Sequence, residues 1–157
     1  IESQFYSWLA LLLYALACLS DFLDGYLARK FELESSFGRF LDPVADKILV
    51  VSVLFILVSN NIIIGFFVYP ALIIIIREIL VSGLRDFFAH STDTLLVTKL
   101  SKWKTLIQMF SLGFLIVSNH FETKIILFIG YFGLTVASLM TIHTGYIYFK
   151  KNLRLFK

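Results

Sequence analysis

Four aspartates stand close together in an otherwise apolar chain, at positions 21, 24, 42 and 46. Asp21 and Asp24 are three residues apart and Asp42 and Asp46 are four apart, so each pair falls on one face of a helix. A carboxylate at membrane depth is unfavourable unless it faces a cavity, a cation or a partner. Two helices that bring these faces together would form a pocket of oxygen ligands, which suits Mg²⁺, Mn²⁺ or Ca²⁺.

Small residues accompany these carboxylates. Gly25 and Ala28 lie on the helix of the first pair, and Gly38 precedes the second pair by one turn. Without bulky side chains, a flat ligand can approach the helix backbone closely. Arg29 adds a planar guanidinium that matches phosphate. The stretch therefore predicts a site for a divalent metal, a phosphate group and a ligand that lies against a helix.

The composition indicates a membrane protein. Of the 157 residues, 59% are hydrophobic, and the mean hydropathy is +0.85. That is too apolar for a soluble domain of this size. The single cysteine, Cys18, excludes an internal disulfide and a cysteine-based metal site. The formal charge of +3 is too small to indicate a nucleic-acid partner.

Apolar runs separated by short polar segments predict five helices that position the site. Their expected ranges are 5–29, 38–58, 62–89, 99–118 and 124–149. A tight turn is predicted at Asn60–Asn61, and Pro70 is expected to kink the third helix.

The distribution of the basic residues predicts how these helices are oriented in the membrane. If the aspartate end of the first helix is cytoplasmic, all but Lys124 of the 14 lysines and arginines fall on the cytoplasmic side. Such a positive-inside bias is typical of multi-pass proteins of the cell membrane. The expectation is an all-α integral membrane protein with five transmembrane helices and a site at the cytoplasmic face of the cell (inner) membrane.

The aspartate stretch resembles the signature of the CDP-alcohol phosphatidyltransferase family. It reads D-x-x-D-G-x-x-A-R from position 21 and G-x-x-x-D-x-x-x-D from position 38. The resemblance implies transfer of a phosphatidyl or similar group from a CDP-linked donor to an alcohol, with release of CMP. It also implies that Asp21, Asp24 and Asp42 ligate two divalent cations, Mg²⁺ or Mn²⁺, with Asp46 close by.

The same resemblance suggests a role for each motif residue. Asp46 is expected to complete the metal site and to act as the general base on the acceptor hydroxyl. The CDP part of the donor is expected to contact residues of both halves of the motif: Asp21, Asp24, Gly25, Ala28, Arg29 and Gly38.

Basic residues near the motif are candidates for binding an anionic acceptor. Arg77 follows five apolar residues, so it is expected to face protein, with Glu78 available to pair with another cation. The residues predicted to bind the acceptor phosphate are Arg39, Arg77, Lys102 and Lys104.

Further segments resemble the bacterial phosphatidylglycerophosphate synthases within the family. They read LDPVADK from position 41, REILVSGLR from position 77 and KWKT from position 102. This resemblance implies CDP-diacylglycerol as donor and glycerol-3-phosphate as acceptor, in contact with membrane lipids. It further implies a homodimer, and a single domain over 1–157 that lacks an N-terminal sixth helix.

Two other functions stay open at this point. A cardiolipin synthase of the same family would use phosphatidylglycerol as acceptor. A cation-coupled transporter would use the aspartates as an ion path, but such proteins often carry repeats, and no second carboxylate cluster follows the first.

Overall fold

The backbone hydrogen bonds of apolar segments account for the helical architecture. Where water is excluded, each amide must be satisfied within its own segment, so apolar runs of this length form helices. The computed structural model describes residues 2–31, 36–88, 99–118 and 124–152, and their side chains except those at 2–4, 21–22, 24–31, 36–43, 84–88, 99, 101–102 and 151–152. The helices are α1 (Glu2–Phe31), α2 (Ser36–Ser59), α3 (Val68–Phe88), α4 (Lys99–Ser118) and α5 (Lys124–Asn152). These ranges contain no strand, so the predicted all-α class is confirmed.

The turn after α2 follows from an asparagine in the left-handed conformation. Asn61 has φ 57°. Its amide donates to the carbonyl of Val58, and the amide of Ile62 donates to the carbonyl of Leu57. This pair of bonds is a Schellman motif, in which asparagine is tolerated because its short side chain accepts positive φ. The turn predicted at Asn60–Asn61 is confirmed.

The third helix begins later than predicted. A short 3-10 helix, Gly65–Phe67, precedes α3, and α3 itself begins at Val68 rather than at residue 62. Gly65 has φ +57°, which interrupts helical propagation. Pro70 therefore lies in the first turn of α3, where its missing amide hydrogen removes no helical bond. The predicted kink at Pro70 is accordingly wrong.

The most extensive contact in the bundle joins α4 and α5. Glycines on α5 allow the close approach. A Cβ atom at Gly130 would lie 2.7 Å from Cγ of Leu115, and one at Gly133 would collide with the Ser111 hydroxyl. Because residues 130 and 133 face residues 115 and 111, α4 and α5 are antiparallel.

Polar contacts tie other helices to this pair. The Tyr14 hydroxyl of α1 donates to the Met109 carbonyl of α4 at 3.1 Å. The Tyr131 hydroxyl of α5 donates to the Ile62 carbonyl, and the Tyr131 ring stacks on Phe67 with centroids 3.9 Å apart. The core between the helices is apolar and includes the fully buried Leu54, Leu57, Ile63, Ile74, Leu112, Leu115 and Leu134.

The outer surface of the helices is also apolar. Phe55, Phe110 and Phe128 are each more than two-thirds exposed. Within the part of the chain that the structure describes, two helical segments are long and apolar enough to cross a membrane, Gly65–Gly83 and Lys124–Lys150, with mean hydropathies of 1.9 and 2.1. Shorter apolar helical segments span Phe5–Ser20 and Trp103–Ser118. A surface of this kind is stable against lipid chains.

Candidate functional site

The backbone places the motif residues on two continuous helices. α1 carries Asp21, Asp24, Gly25, Ala28 and Arg29, and α2 carries Gly38, Arg39, Asp42 and Asp46. The helical spacing assumed for each aspartate pair therefore holds. Of these side chains, only that of Asp46 lies within the described part of the structure, and the side chain of Lys102 lies outside it as well.

Asp46 lies beside a contact between α2 and α3. Its side chain is half-buried. The ammonium of its neighbour Lys47 donates to the Ser82 hydroxyl on α3. Ser82 is one turn from Glu78 on the same face of α3, since residues four apart are neighbours on a helix. Along the helix axes, Asp46 of α2 therefore lies at nearly the same height as Glu78 of α3.

Two predicted acceptor-binding residues meet at one carboxylate. Oε1 of Glu78 accepts a hydrogen bond from the ammonium of Lys104 and lies 3.5 Å from Nη1 of Arg77. Nη2 of Arg77 donates to Oγ1 of Thr144 at 3.1 Å. These four residues, Arg77, Glu78, Lys104 and Thr144, form what we call the basic cluster, where α3, α4 and α5 meet.

Burial makes the basic cluster electrostatically strong. The side chain of Lys104 is 3% exposed, and those of Arg77 and Glu78 are 14% and 18% exposed. Charges removed from water interact over a lower effective dielectric, and an uncompensated charge there is costly. Two cations, Arg77 and Lys104, share the carboxylate of Glu78. A cluster of this type can bind an anion such as a phosphate group.

The structure confirms part of the sequence reasoning about these residues. Arg77 faces protein, as its apolar flank predicted, and Glu78 pairs with a second cation. Arg77 and Lys104, each predicted to bind the acceptor phosphate, are brought together on Glu78. The predicted roles of Arg39 and Lys102 concern side chains outside the described residues.

Sequence reasoning missed three buried hydroxyl groups of α5, of which the Thr144 hydroxyl contacts Arg77. Ser138, Thr141 and Thr144 form a polar stripe on the apolar helix α5, and all three are buried. Their spacing of three residues places them on one side of the helix, and this regularity is a signal that could have identified them. Oγ1 of Thr141 and Oε1 of Gln108 are buried without a hydrogen-bond partner among the described residues. Buried polar atoms in proteins usually have a hydrogen-bond partner, such as another side chain, a ligand or an ordered water.

The chain is similar to known proteins over nearly its whole length. A sequence model described as CDP-alcohol phosphatidyltransferase matches residues 2–143. A Rickettsia bellii protein named CDP-diacylglycerol–glycerol-3-phosphate 3-phosphatidyltransferase is 43% identical over 151 residues, which is 96% of this chain and 82% of that protein. Proteins of the same name from Haemophilus influenzae and Bacillus subtilis are each 38% identical over 90% of this chain and over 75% and 72% of their own lengths. A match over nearly the whole chain, together with the helical spacing of the aspartates, shows that this chain belongs to the CDP-alcohol phosphatidyltransferase family.

Proposed function

We propose that this protein transfers the phosphatidyl group of CDP-diacylglycerol to glycerol-3-phosphate, which yields phosphatidylglycerophosphate and CMP. The observation that carries the proposal is the name shared by relatives 38–44% identical to this chain over 90% or more of its length. The enzyme is a transferase of phospholipid biosynthesis in this proposal, and residues 1–157 act as one domain.

The basic cluster supports an acceptor that carries its own phosphate. A phosphate group would accept charge-assisted hydrogen bonds from the guanidinium of Arg77 and the ammonium of Lys104, whereas an uncharged alcohol would accept only weaker ones. Arg39 and Lys102 are proposed to contribute further contacts to the same phosphate. Thr144 holds the Arg77 guanidinium in place through the hydrogen bond at 3.1 Å.

The carboxylates fit a divalent metal site by their chemistry and by their helical placement. Four aspartates on continuous helices supply only oxygen ligands, the type that Mg²⁺ and Mn²⁺ prefer. Asp21, Asp24, Asp42 and Asp46 are therefore proposed to hold two such cations. When bound, the cations would neutralise the donor diphosphate and stabilise charge that develops on the phosphoryl oxygens.

The donor is proposed to lie along the helix that carries the first aspartate pair. Gly25, Ala28 and Gly38 leave room for the cytidine ring against the backbone, and Arg29 is placed to contact phosphate. The acyl chains of CDP-diacylglycerol would remain in the bilayer, so only the headgroup enters the site.

Asp46 is proposed as the general base. It accepts the proton of the acceptor hydroxyl, whose oxygen forms a bond to the phosphorus that bears diacylglycerol. The bond from that phosphorus to the oxygen of CMP breaks, and CMP leaves with the electron pair. The half-buried position of Asp46 supports this role because part of the side chain remains accessible to an acceptor.

The proposed topology has five transmembrane helices in this chain. The positive-inside distribution of lysine and arginine supports a cytoplasmic site in the bacterial inner membrane. A homodimer is proposed from the family resemblance alone.

The test is CMP release by the purified protein with CDP-diacylglycerol and one acceptor at a time. We expect release with glycerol-3-phosphate, loss of release with EDTA, and restoration by Mg²⁺ or Mn²⁺. Release with phosphatidylglycerol instead would identify a cardiolipin synthase and overturn the acceptor assignment. Ion flux in liposomes without any CMP release would indicate a transporter.

The base assignment has its own test. Asp46→Asn removes the proton acceptor and keeps the shape, so turnover should fall about 10²- to 10⁴-fold, the range of general-base contributions. Wild-type turnover by this variant would exclude Asp46 as the base.

A further inference from the structure

One hydrogen bond joins the charged part of α3 to α5. The guanidinium of Arg77 donates through Nη2 to Oγ1 of Thr144 at 3.1 Å. Both side chains are shielded from solvent, since Thr144 is 8% exposed and the side chain of Arg77 is 14% exposed. A hydrogen bond from a charged donor is strong in such a place, because water competes for it poorly.

The two helices that carry this bond run in the same direction. Phe67, just before α3, stacks on Tyr131 of α5, and Arg77 contacts Thr144 farther along both helices. The helices are therefore in contact at two levels, and the bond between the guanidinium and the hydroxyl joins aligned elements.

The hydroxyl of Thr144 is oriented by its own helix. Its Oγ1 lies 2.9 Å from the carbonyl oxygen of Met140 and 3.1 Å from that of Thr141. A hydroxyl has one proton, which is donated to these carbonyls, and two lone pairs that accept. The χ1 angle of threonine is restricted in a helix, where Oγ1 bonds to the preceding turn. The guanidinium of Arg77 therefore meets an acceptor whose position is fixed.

The backbone of α5 also supports the stem of Arg77. A Cβ atom at Gly145 would lie 3.4 Å from Cγ and 3.8 Å from Nε of the arginine, so the stem packs directly on the helix. At the other end of the side chain, Nη1 lies 3.5 Å from Oε1 of Glu78, and Nη2 is bonded to Thr144. Because the guanidinium is rigid and planar, contacts at two of its nitrogens and along the stem define the orientation of its plane.

We propose that Thr144 is a positioning residue of the acceptor site, whose hydroxyl fixes the orientation in which the guanidinium of Arg77 receives the acceptor phosphate. A planar fork forms two parallel bonds to phosphate oxygens only when it is correctly oriented. A side chain that is already ordered also loses less entropy when the ligand binds. The inference rests on the proposed function, since it takes Arg77 as a ligand of the acceptor phosphate.

The experiment measures CMP release by the purified full chain with each substrate varied in turn. Thr144→Val removes the hydroxyl and keeps the shape of the side chain, whereas Thr144→Ser keeps the hydroxyl. The matched control is Thr135→Val, the same substitution on the same helix, where the hydroxyl donates to the carbonyl of Tyr131 at 2.8 Å. If Thr144→Val does not fold, Thr144→Ala takes its place.

We expect Thr144→Val to raise the KM for glycerol-3-phosphate about 3- to 10-fold, a range that corresponds to one hydrogen bond of ordinary strength. The kcat and the KM for CDP-diacylglycerol should stay near those of the wild type, because loss of uniform binding affects the KM of one substrate alone. Thr144→Ser and Thr135→Val should keep the acceptor KM of the wild type. A lower kcat in Thr144→Val with an unchanged acceptor KM would indicate a merely structural role and overturn the inference.

A double-mutant cycle tests whether Thr144 acts through the arginine. In the background of Arg77→Met, or of Arg77→Leu if that variant does not fold, Thr144→Val should raise the acceptor KM no further. Additive effects would show that the two residues act independently, and the positioning role would then be wrong.

The same measurements separate this inference from the proposed function. If the wild type releases no CMP with glycerol-3-phosphate, or if Arg77→Met leaves the acceptor KM unchanged, the proposed reaction or its acceptor site is wrong. If Arg77→Met raises the acceptor KM and Thr144→Val does not, only the positioning role of Thr144 is wrong.

Discussion

At the scale of single residues, one carboxylate organises the two cations of the site. Glu78 contacts both Arg77 and Lys104, and those cations come from different helices. Without Glu78 the site would hold two like charges in a poorly solvated place, which is unfavourable. Glu78 therefore sets the spacing of the two cations that the acceptor phosphate is proposed to contact.

Removal of one cation should weaken acceptor binding selectively. Lys104→Met keeps the apolar stem and removes the ammonium. Because a hydrogen bond to a charged group contributes about 1.5–3 kcal/mol, the KM for glycerol-3-phosphate should rise about 10- to 150-fold. The KM for CDP-diacylglycerol should change little. Steady-state kinetics with each substrate varied in turn provides the measurement.

The control for this substitution is Lys150→Met, which removes an exposed lysine of α5. It should leave both KM values near those of the wild type. An unchanged acceptor KM in Lys104→Met would place the acceptor phosphate elsewhere.

The sequence predicted that each of these cations binds the acceptor, but it did not predict that both contact Glu78. The apolar flank of Arg77 indicated that it faces protein, and the KWKT segment drew attention to Lys104. Their pairing through Glu78 depends on how α3 and α4 are aligned, and no local pattern encodes that alignment. A role for Thr144 was not predicted, because the hydroxyl of a threonine in an apolar helix can donate a hydrogen bond to a backbone carbonyl of the same helix.

At the scale of helices, the glycines of α5 determine how closely α4 can pack. Gly130 and Gly133 face Leu115 and Ser111 without room for a methyl group. Small residues of this kind promote helix association in membranes, where packing replaces the hydrophobic effect as the driving force.

A methyl group at either position should destabilise the protein. Overpacking of a tight contact costs about 1–3 kcal/mol, so Gly133→Ala and Gly130→Ala should unfold several degrees below the wild type. Thermal unfolding in a fixed detergent measures this shift.

Gly83→Ala is the matched control, since a Cβ atom there meets no atom within 4 Å. Alanine is also favoured over glycine inside a helix by roughly 0.5–1 kcal/mol. The control should therefore unfold at an equal or slightly higher temperature. An equal loss of stability in all three variants would show that the close contact is not the cause.

The helix bounds were largely predictable, because apolar runs end at polar residues. The fourth helix was predicted to run from residue 99 to 118, and it does so. The third helix was predicted six residues too early, since residues 62–67 are apolar but contain Gly65 with positive φ. Hydropathy does not report backbone conformation, so this interruption could not be inferred from it.

At the scale of the whole molecule, the basic residues predict the orientation of the helices. Arg77, Lys104 and Lys150 all lie toward one end of the bundle, since α4 is antiparallel to α5 and α3 is parallel to it. Lys124 lies at the opposite end of α5. The packing order of the helices, by contrast, depends on side-chain fit and could not be read from charge.

Single-cysteine labelling tests the proposed topology. With Cys18 changed to serine, Asn60→Cys should react with an impermeant thiol reagent in cells whose outer membrane is permeable. Lys150→Cys should react only after the inner membrane is opened. If both cysteines reacted from the same side of the membrane, the chain could not cross the membrane an odd number of times between positions 60 and 150.

The buried position of Lys104 has a consequence for the response of the enzyme to membrane voltage. Lys104 lies five residues, about 7 Å of helix, beyond Lys99, which is about a quarter of a hydrocarbon core of ~30 Å. In the proposed topology, an acceptor dianion that reached Lys104 from the cytoplasm would cross a corresponding part of the electric field. At 100 mV, negative inside, the field would favour this entry by about 1 kcal/mol. The KM for glycerol-3-phosphate in energised vesicles should then rise several-fold when an ionophore collapses the potential, and a KM independent of voltage would indicate that the acceptor binds outside the field.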